Sequence, residues 1–380
     1  MRSSLCCVLV TLLTACSAAG PGAGVTDAAP APDANVADAA SSPPDATSDA
    51  SSSDASTPPA LPLGTLTVTA PLGPTCPSGA APGASCMTAT VMCPNEPDIS
   101  VTIADVEPKG TPIGTIVAHD GGSGTGFYNG NTMSTNNFSG SLTAKNYRFV
   151  QVAWASDWAT TGKGIKQAGC RPATVFQWIF DNIHEQSKTT GFCAMGQSGG
   201  AAAVLYSIAA YGLKDEWDYL QLAAGPTPAR LDYGCDPSLY TGGPRNLCPL
   251  LTSAPYQYDY VASGSSSIDS IVDGWEGTST CNGTSPPAAD IAMWASDSLL
   301  SPGDDLDYPQ TSMSFWYCVS TPNMSTGQGS FFIDQAQPKN NLADAVNCYS
   351  GTCTSEEVFE DSTAFDLAVT DMTQNCVPNH

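Results

Sequence analysis

One serine in a glycine-rich turn has the clearest chemical potential in this chain. The segment Gly196-Gln197-Ser198-Gly199-Gly200 matches the pattern G-x-S-x-G. Small residues around the serine let the backbone turn sharply and expose its hydroxyl. If a helix follows, its first backbone amides lie beside that hydroxyl and stabilise a developing negative charge. The pattern therefore predicts nucleophilic chemistry at Ser198, and the alternative is a turn that only joins a strand to a helix.

The segments that flank this turn have the composition of a strand and of a helix. An apolar run at 191–195 precedes the serine, and an Ala-rich run at 201–213 follows it. Strand-like and helical runs alternate along the rest of the domain, with Tyr219–Ala223 as the next predicted strand. This alternation predicts an α/β fold whose sheet is mostly parallel.

In this context the chain resembles the α/β-hydrolase superfamily over most of residues 100–380. The resemblance implies an α/β-hydrolase-like fold, in which helices flank the central sheet, and a serine esterase activity. One oxyanion donor would be the Gly199 amide. The segment His119-Asp120-Gly121-Gly122 is similar to the loop that supplies the second donor, so Gly121 or Gly122 would fill that role. The alternative for this segment is a glycine-rich turn with a surface histidine.

The resemblance also implies an acid and then a histidine, both after the serine in chain order. The chain has three histidines, and His119 and His184 both precede the serine. His184, at the end of a predicted helix, is interpreted as a solvated surface residue. His380 is therefore the candidate base, with a disordered terminal residue as the alternative, and Asp334 is the candidate acid.

The loops in which the family places these two residues contain neither of them, and this leaves other functions open. The main alternative is a surface-binding protein that kept the fold and lost the triad. A carbon–carbon bond or amide hydrolase on the same fold is a third interpretation.

The cysteines indicate an exported, disulfide-bonded domain. Of the fifteen cysteines, twelve follow residue 62, an even number that favours disulfides in an oxidising compartment. Short separations suggest the pairs Cys235–Cys248 and Cys348–Cys353, although spacing does not fix the connectivity. Cys193 and Cys318 lie in apolar runs, so either could be a buried free thiol. There is no C-x-x-C pair, and we expect no metal and no other cofactor.

The first residues predict export and a lipid anchor. Residues 1–15 combine a basic residue with a short apolar stretch, as in a signal peptide. The sequence Leu13-Thr14-Ala15-Cys16 resembles the bacterial lipobox, which implies acylation of Cys16. Residues 16–62, rich in Ala, Ser, Asp and Pro, predict a disordered tether. The expected location is the bacterial cell envelope, on the periplasmic or outer-membrane surface, with the membrane reached through the lipid on Cys16.

Residues 63–380 form the predicted hydrolase-like domain, with an insertion or lid at about 235–310. The whole chain has a net charge of −24, and the part after residue 62 has 30 acidic against 11 basic residues, or −19. Such a charge repels nucleic acid and polyanions, so the expected partner is a small-molecule or polymer ester. Seven aromatic residues could line a groove or form the core of the lid. They are Tyr240, Tyr256, Tyr258, Tyr260, Trp275, Trp294 and Trp316.

Overall fold

The structure is a computed structural model, and it describes most of the chain after residue 58. The described residues are 59–128, 137–160, 162–242, 248, 260, 281, 286–302, 304, 306–319, 324–340, 342–353 and 358–379. The predicted signal peptide, Cys16, nearly all of the predicted tether, much of the predicted lid and His380 lie outside them. Within the described segments, none of the helices combines the length and apolar content that a membrane crossing requires.

Nine strands form one sheet. They are β1 (Thr65–Gly73), β2 (Ser85–Met92), β3 (Ile99–Val106), β4 (Gly114–His119), β5 (Tyr147–Trp154), β6 (Gly191–Gln197), β7 (Tyr219–Ala223), β8 (Ser312–Cys318) and β9 (Val346–Tyr349). Their order across the sheet is β1-β2-β3-β5-β4-β6-β7-β8-β9. The pairs β1–β2, β2–β3 and β3–β5 are antiparallel, and the five pairs from β5–β4 to β8–β9 are parallel. A mostly parallel sheet of an α/β domain is therefore confirmed.

Helices connect the strands and cover both faces of the sheet. They are α1 (Phe138–Thr143), α2 (Ile165–Ala168), α3 (Cys170–Asn182), α4 (Gly199–Ala209), α5 (Leu231–Cys235), α6 (Ala288–Asp297), α7 (Met324–Asn340) and α8 (Ser362–Asn375). Short 3₁₀ turns lie at Leu213–Asp215, Pro237–Leu239, Leu342–Ala345 and Val358–Glu360. Parallel strands need such crossover helices because the chain must return to the end of the sheet at which the previous strand began.

Strand β4 shows how the two hydrophobic layers form. Its residues Ile116, Val117 and Ala118 are all fully buried, and successive side chains of a strand point to opposite faces. Val117 joins the layer that contains the apolar residues of α3 and α4. Ile116 and Ala118 join the opposite layer, which contains those of α1 and α8. Both faces of β4 are thus covered, which explains its continuous apolar sequence.

Six disulfides join all twelve cysteines of the domain. The pairs are Cys76–Cys86, Cys93–Cys170, Cys193–Cys376, Cys235–Cys281, Cys248–Cys348 and Cys318–Cys353. Disulfide formation is confirmed, but both suggested pairs are wrong. The expectation that Cys193 or Cys318 is a free thiol is also wrong. The physical reason is that tertiary packing brings together residues as far apart as 183 positions.

Candidate active site

Ser198 forms the whole turn between β6 and α4. Strand β6 ends at Gln197 and α4 begins at Gly199. Ser198 has φ 50° and ψ −111°, a backbone conformation that residues with a side chain rarely adopt and that costs about 1–3 kcal/mol. Its amide donates a 2.8 Å hydrogen bond to the carbonyl oxygen of Ala223 on β7, which holds the turn against the sheet. Its side chain is half-buried.

The glycines around Ser198 are required by close backbone contacts. A Cβ atom at Gly196 would lie 2.6 Å from the carbonyl oxygen of Gly200. One at Gly199 would lie 2.5 Å from the carbonyl oxygen of Gly122, and one at Gly200 would overlap the carbonyl oxygen of His119. The loop after β4 therefore packs directly against the turn, as the sequence indicated for small residues at these positions.

The turn lies at the carboxyl end of the sheet, where the connections change direction. From β4 the chain moves to β5 on one side, and it later returns to β6 on the other side of β4. Clefts at such reversal points are where parallel sheets bind ligands. A strained serine in a strand-to-helix turn, facing a glycine loop from an earlier strand, is the arrangement of the hydrolase elbow. The fold is α/β-hydrolase-like.

Two backbone amides near Ser198 are available to a ligand oxygen. Gly199 is the first residue of α4, so its N–H group has no acceptor within the helix. In the facing loop, the Gly121 amide already donates a 2.9 Å bond to Oδ1 of Asp120. The Gly122 amide donates to no other described residue, and it lies 3.0 Å from where a Cβ of Gly199 would be. Of the two predicted donors in this loop, Gly121 therefore has an engaged amide, and the role of either as an oxyanion donor stays a prediction.

His119 is a buried structural residue and cannot accept a proton from Ser198. It is fully buried, and its Nε2 atom accepts a 2.9 Å bond from the indole N–H of Trp154. Since an indole only donates, Nδ1 carries the proton and donates it to the carbonyl oxygen of Asp120 at 2.9 Å. Burial lowers the pKa of His119 to about 4, so its ring is neutral near pH 7. The alternative of a surface histidine is wrong for this position.

His184 is also buried, which corrects its interpretation as a solvated residue. Its Nδ1 atom lies 3.1 Å from Oγ1 of Thr115, and its Nε2 atom lies 2.9 Å from the carbonyl oxygen of Ser187. The ring packs between Phe180 and Phe192, and burial lowers its pKa. Thr115 is near the start of β4, so His184 lies at the amino end of the sheet, away from Ser198.

The end of the chain is held at the same amino end of the sheet. The Cys193–Cys376 disulfide attaches it to β6. The Asn379 amide donates to Oδ1 of Asp218 at 2.7 Å, while Oδ2 of Asp218 accepts from the Phe192 amide at 2.8 Å. Extended strand from Phe192 to Ser198 spans about 20 Å at roughly 3.3 Å per residue.

The two predicted partners of the serine are not brought to it by any described contact. His380 lies outside the described residues. Asp334 is exposed on helix α7, ten residues after the first residue of that helix. Both assignments stay untested predictions.

Asp120 lies at the carboxyl end of the sheet, near Ser198. The sequence analysis did not select it as a site residue. It follows β4 directly and lines a cavity of about 410 Å³ together with Gln197, the residue before Ser198. Burial raises the pKa of Asp120, against the opposing effect of the hydrogen bond from Gly121. The sequence feature that could have identified it is an acidic residue placed between an apolar strand and two glycines.

The aromatic residues that could line a groove or form the core of the lid are mostly buried where the structure describes them. Tyr260, Trp294 and Trp316 are at most 4% exposed, and Tyr240 is partly buried against the same core. Tyr256, Tyr258 and Trp275 lie outside the described residues. Across the described part of the chain, no group of three or more His, Cys, Asp or Glu side chains could hold a metal ion.

Comparison with solved structures finds similar folds among esterases and lipases. A bacterial heroin esterase is 14% identical in sequence to this chain. The alignment covers 78% of this chain and 85% of the esterase, with a TM-score of 0.45. A hyperthermophilic esterase from the archaeon Pyrobaculum calidifontis is 13% identical (76% and 82% covered, TM-score 0.43). Candida antarctica lipase A in its closed state is also 13% identical (80% and 82% covered, TM-score 0.42). No protein-family profile and no curated protein sequence matches the chain.

Proposed function

We propose that the protein is a serine hydrolase that cleaves carboxylic esters. The observation that carries the proposal is the strained backbone of Ser198, with φ 50°, beside the free amides of Gly199 and Gly122. Backbone strain of this kind persists only where the surrounding structure enforces it, and it concentrates at functional sites. A turn that only joined β6 to α4 would not need it.

In the proposed reaction, the Ser198 hydroxyl oxygen attacks the acyl carbon of the ester. The carbonyl oxygen gains negative charge, and the amides of Gly199 and Gly122 donate hydrogen bonds to it. The acyl–oxygen bond to the alkoxide then breaks, the alkoxide takes up the serine proton and leaves as an alcohol, and water hydrolyses the acyl-serine to the acid and free Ser198. A donor of this kind contributes about 10²–10³ to the rate. His119 supports this indirectly, because its Nδ1–H bond to the Asp120 carbonyl oxygen fixes the loop that carries Gly122.

The proposal extends to export and anchoring. Six disulfides support an oxidising compartment, since the cytosol keeps thiols reduced. Together with the lipobox-like segment at Cys16, they support a lipid-anchored protein at the periplasmic or outer-membrane surface. Its partners would be ester substrates and, through the lipid, the membrane.

The test is covalent labelling of the full chain with a fluorophosphonate probe. We expect Ser198 to be labelled in the folded protein, and both Ser198→Ala and heat-denatured protein to stay unlabelled. Mass spectrometry of the modified peptide identifies the serine. Hydrolysis of p-nitrophenyl acetate should be lost in the same variant. A folded protein whose Ser198 resists the probe and which turns over no ester would overturn the proposal.

The histidines favour a second candidate function, a binding protein that retained the elbow without its base. A serine hydroxyl is a weak nucleophile at neutral pH and needs a general base. His119 and His184 have both ring nitrogens engaged, and Asn379 is hydrogen-bonded at the amino end of the sheet. Under this function, the free amides bind a carbonyl or carboxylate oxygen without turnover. Acetate binding that is retained in Ser198→Ala, in a protein that resists the probe, would support it.

A further inference from the structure

The cavity of about 410 Å³ beside the elbow is a space distinct from the amides that face Ser198. It lies at the carboxyl ends of β4, β5 and β6, where Asp120, Trp154 and Gln197 line it, and the segments 77–79 and 125–128 complete its wall. Ser198, Gly122 and Gly199 do not belong to this lining. Its volume is within the usual range for small-molecule sites.

Among the described residues that line this cavity, Asp120 is the one that is charged. Its Oδ1 atom accepts the Gly121 amide at 2.9 Å. Its Oδ2 atom has no hydrogen-bond partner among the described residues, and it lies so close to Gly126 that a Cβ there would overlap it. A partly buried carboxylate that accepts one described hydrogen bond is stabilised by a cation placed beside its other oxygen.

Aromatic residues form part of the same wall. Phe127 is half-buried and its ring lies over Gly79, with Cδ2 3.7 Å from where a Cβ would be. Tyr128 and Trp154 also line the cavity. Trp154 is only 3% exposed and its side chain belongs to the layer of α3 and α4 on the other face of the sheet, so it contributes no aromatic face here. Aromatic faces attract organic cations through their quadrupole.

We infer that this cavity binds an organic cation that carries an ammonium group. Asp120 is its counter-ion and Phe127 contributes the aromatic face. The lining includes no Lys or Arg that would repel such a ligand, and the acidic surface of the domain concentrates cations around it. The inference does not rest on the proposed esterase activity, because binding requires no reaction at Ser198.

The test compares two ligands of nearly equal shape, choline and its neutral isostere 3,3-dimethyl-1-butanol, by isothermal titration calorimetry on the full chain. We expect choline to bind about tenfold or more tightly than the isostere, because only choline carries the charge that Asp120 and the ring of Phe127 attract. Asp120→Asn should remove this preference, because the amide keeps an acceptor for Gly121 and loses the charge. Phe127→Leu should weaken choline binding less.

The matched control is Asp366→Asn, which removes the same charge from an exposed position on α8 and should leave choline binding unchanged. Equal affinity for the two ligands, no measurable choline binding, or full choline affinity in a folded Asp120→Asn would each overturn the inference. The ligand comparison uses the unmodified chain, so it decides the matter even if Asp120→Asn fails to fold. Binding is measured without an ester, so a chain that binds choline but does not hydrolyse esters fails only the esterase proposal.

Discussion

The indole nitrogen of Trp154 donates a 2.9 Å hydrogen bond to Nε2 of His119, and this bond defines the role of that histidine. It fixes the neutral form of the ring and directs the Nδ1 proton to the carbonyl oxygen of Asp120. The ring also packs edge-on against Trp158 and Phe176, each about 6.1 Å away between ring centres. A histidine held in this way positions the glycine loop. It cannot exchange a proton with Ser198, because both of its ring nitrogens are engaged.

The burial of His119 should make the protein less stable as the pH falls. Its pKa is about 4 in the folded protein against 6.5 for the free side chain, so the unfolded chain binds more protons between these values. Its contribution is fully present above pH 6.5 and is lost progressively towards pH 4, by up to roughly 3 kcal/mol. The free energy of unfolding, measured by urea denaturation at several pH values, checks this.

The control for that experiment is His119→Gln, which can keep an acceptor for Trp154 and does not titrate. Burial raises the pKa of Asp297 to about 7, so its contribution runs in the opposite direction over the same pH range. Both proteins contain Asp297, and their difference isolates His119. A difference in unfolding free energy that stays constant from pH 7 to pH 4 would contradict the prediction.

Backbone strain at Ser198 should be relieved by glycine but not by alanine. Glycine adopts a positive φ without steric cost, whereas Ser198→Ala keeps a Cβ in the strained turn with φ 50°. We expect Ser198→Gly to be more stable than Ser198→Ala by about 1 kcal/mol, after the entropic cost of glycine is deducted. Chemical denaturation of the two variants measures this difference. Equal stability would show that the turn holds no such strain.

Two glycines near the elbow should respond differently to alanine. At Gly200 a Cβ would overlap the His119 carbonyl oxygen and lie 2.7 Å from that of Asp120, so we expect Gly200→Ala to cost about 2–4 kcal/mol. At Gly122 the space is open and only the φ of +56° opposes a side chain, so Gly122→Ala should cost about 1–2 kcal/mol. Thermal unfolding ranks the two, and the reverse order would contradict the packing described here.

Removal of the last histidine should leave the chemistry of Ser198 unchanged. Asn379 is bonded to Asp218 at the amino end of the sheet, about 20 Å of strand away from the elbow. We therefore expect His380→Ala to be labelled by a fluorophosphonate at the rate of the unmodified chain. The comparison is the labelling rate of Ser198 in both proteins. A loss of labelling in a stable His380→Ala protein would restore His380 as the base.

The disulfide between Cys193 and Cys376 should contribute more stability than the one between Cys76 and Cys86. The first closes a sequence separation of 183 residues and the second one of 10. Chain entropy predicts that the double alanine variant of the first pair loses about 2 kcal/mol more than that of the second. Denaturation of the two double variants under non-reducing conditions provides the measurement, and equal losses would argue against an entropic origin.

Several elements could be predicted from the sequence because their signals are local. The strand Tyr219–Ala223 has the same bounds in the structure as in the prediction. Helix α3 and its C-cap bury Val175, Ile179 and Ile183, which follow one another at intervals of four residues, as the apolar face of a helix does. Helix α7 and strand β9 were not predicted. Gly327 and Gly329 interrupt the pattern of α7, and β9 has only four residues.

The sequence by itself determined the α/β class, the strand-to-helix position of Ser198 and the presence of disulfides, because each depends on neighbours in the chain or on composition. Only the tertiary structure decided which cysteines pair, that His119 and His184 are buried, and that Asn379 lies at the amino end of the sheet. These features depend on contacts between residues far apart in the chain, such as Trp154 with His119. Local sequence patterns do not reveal such contacts, because the contacts depend on the order of the strands in the sheet.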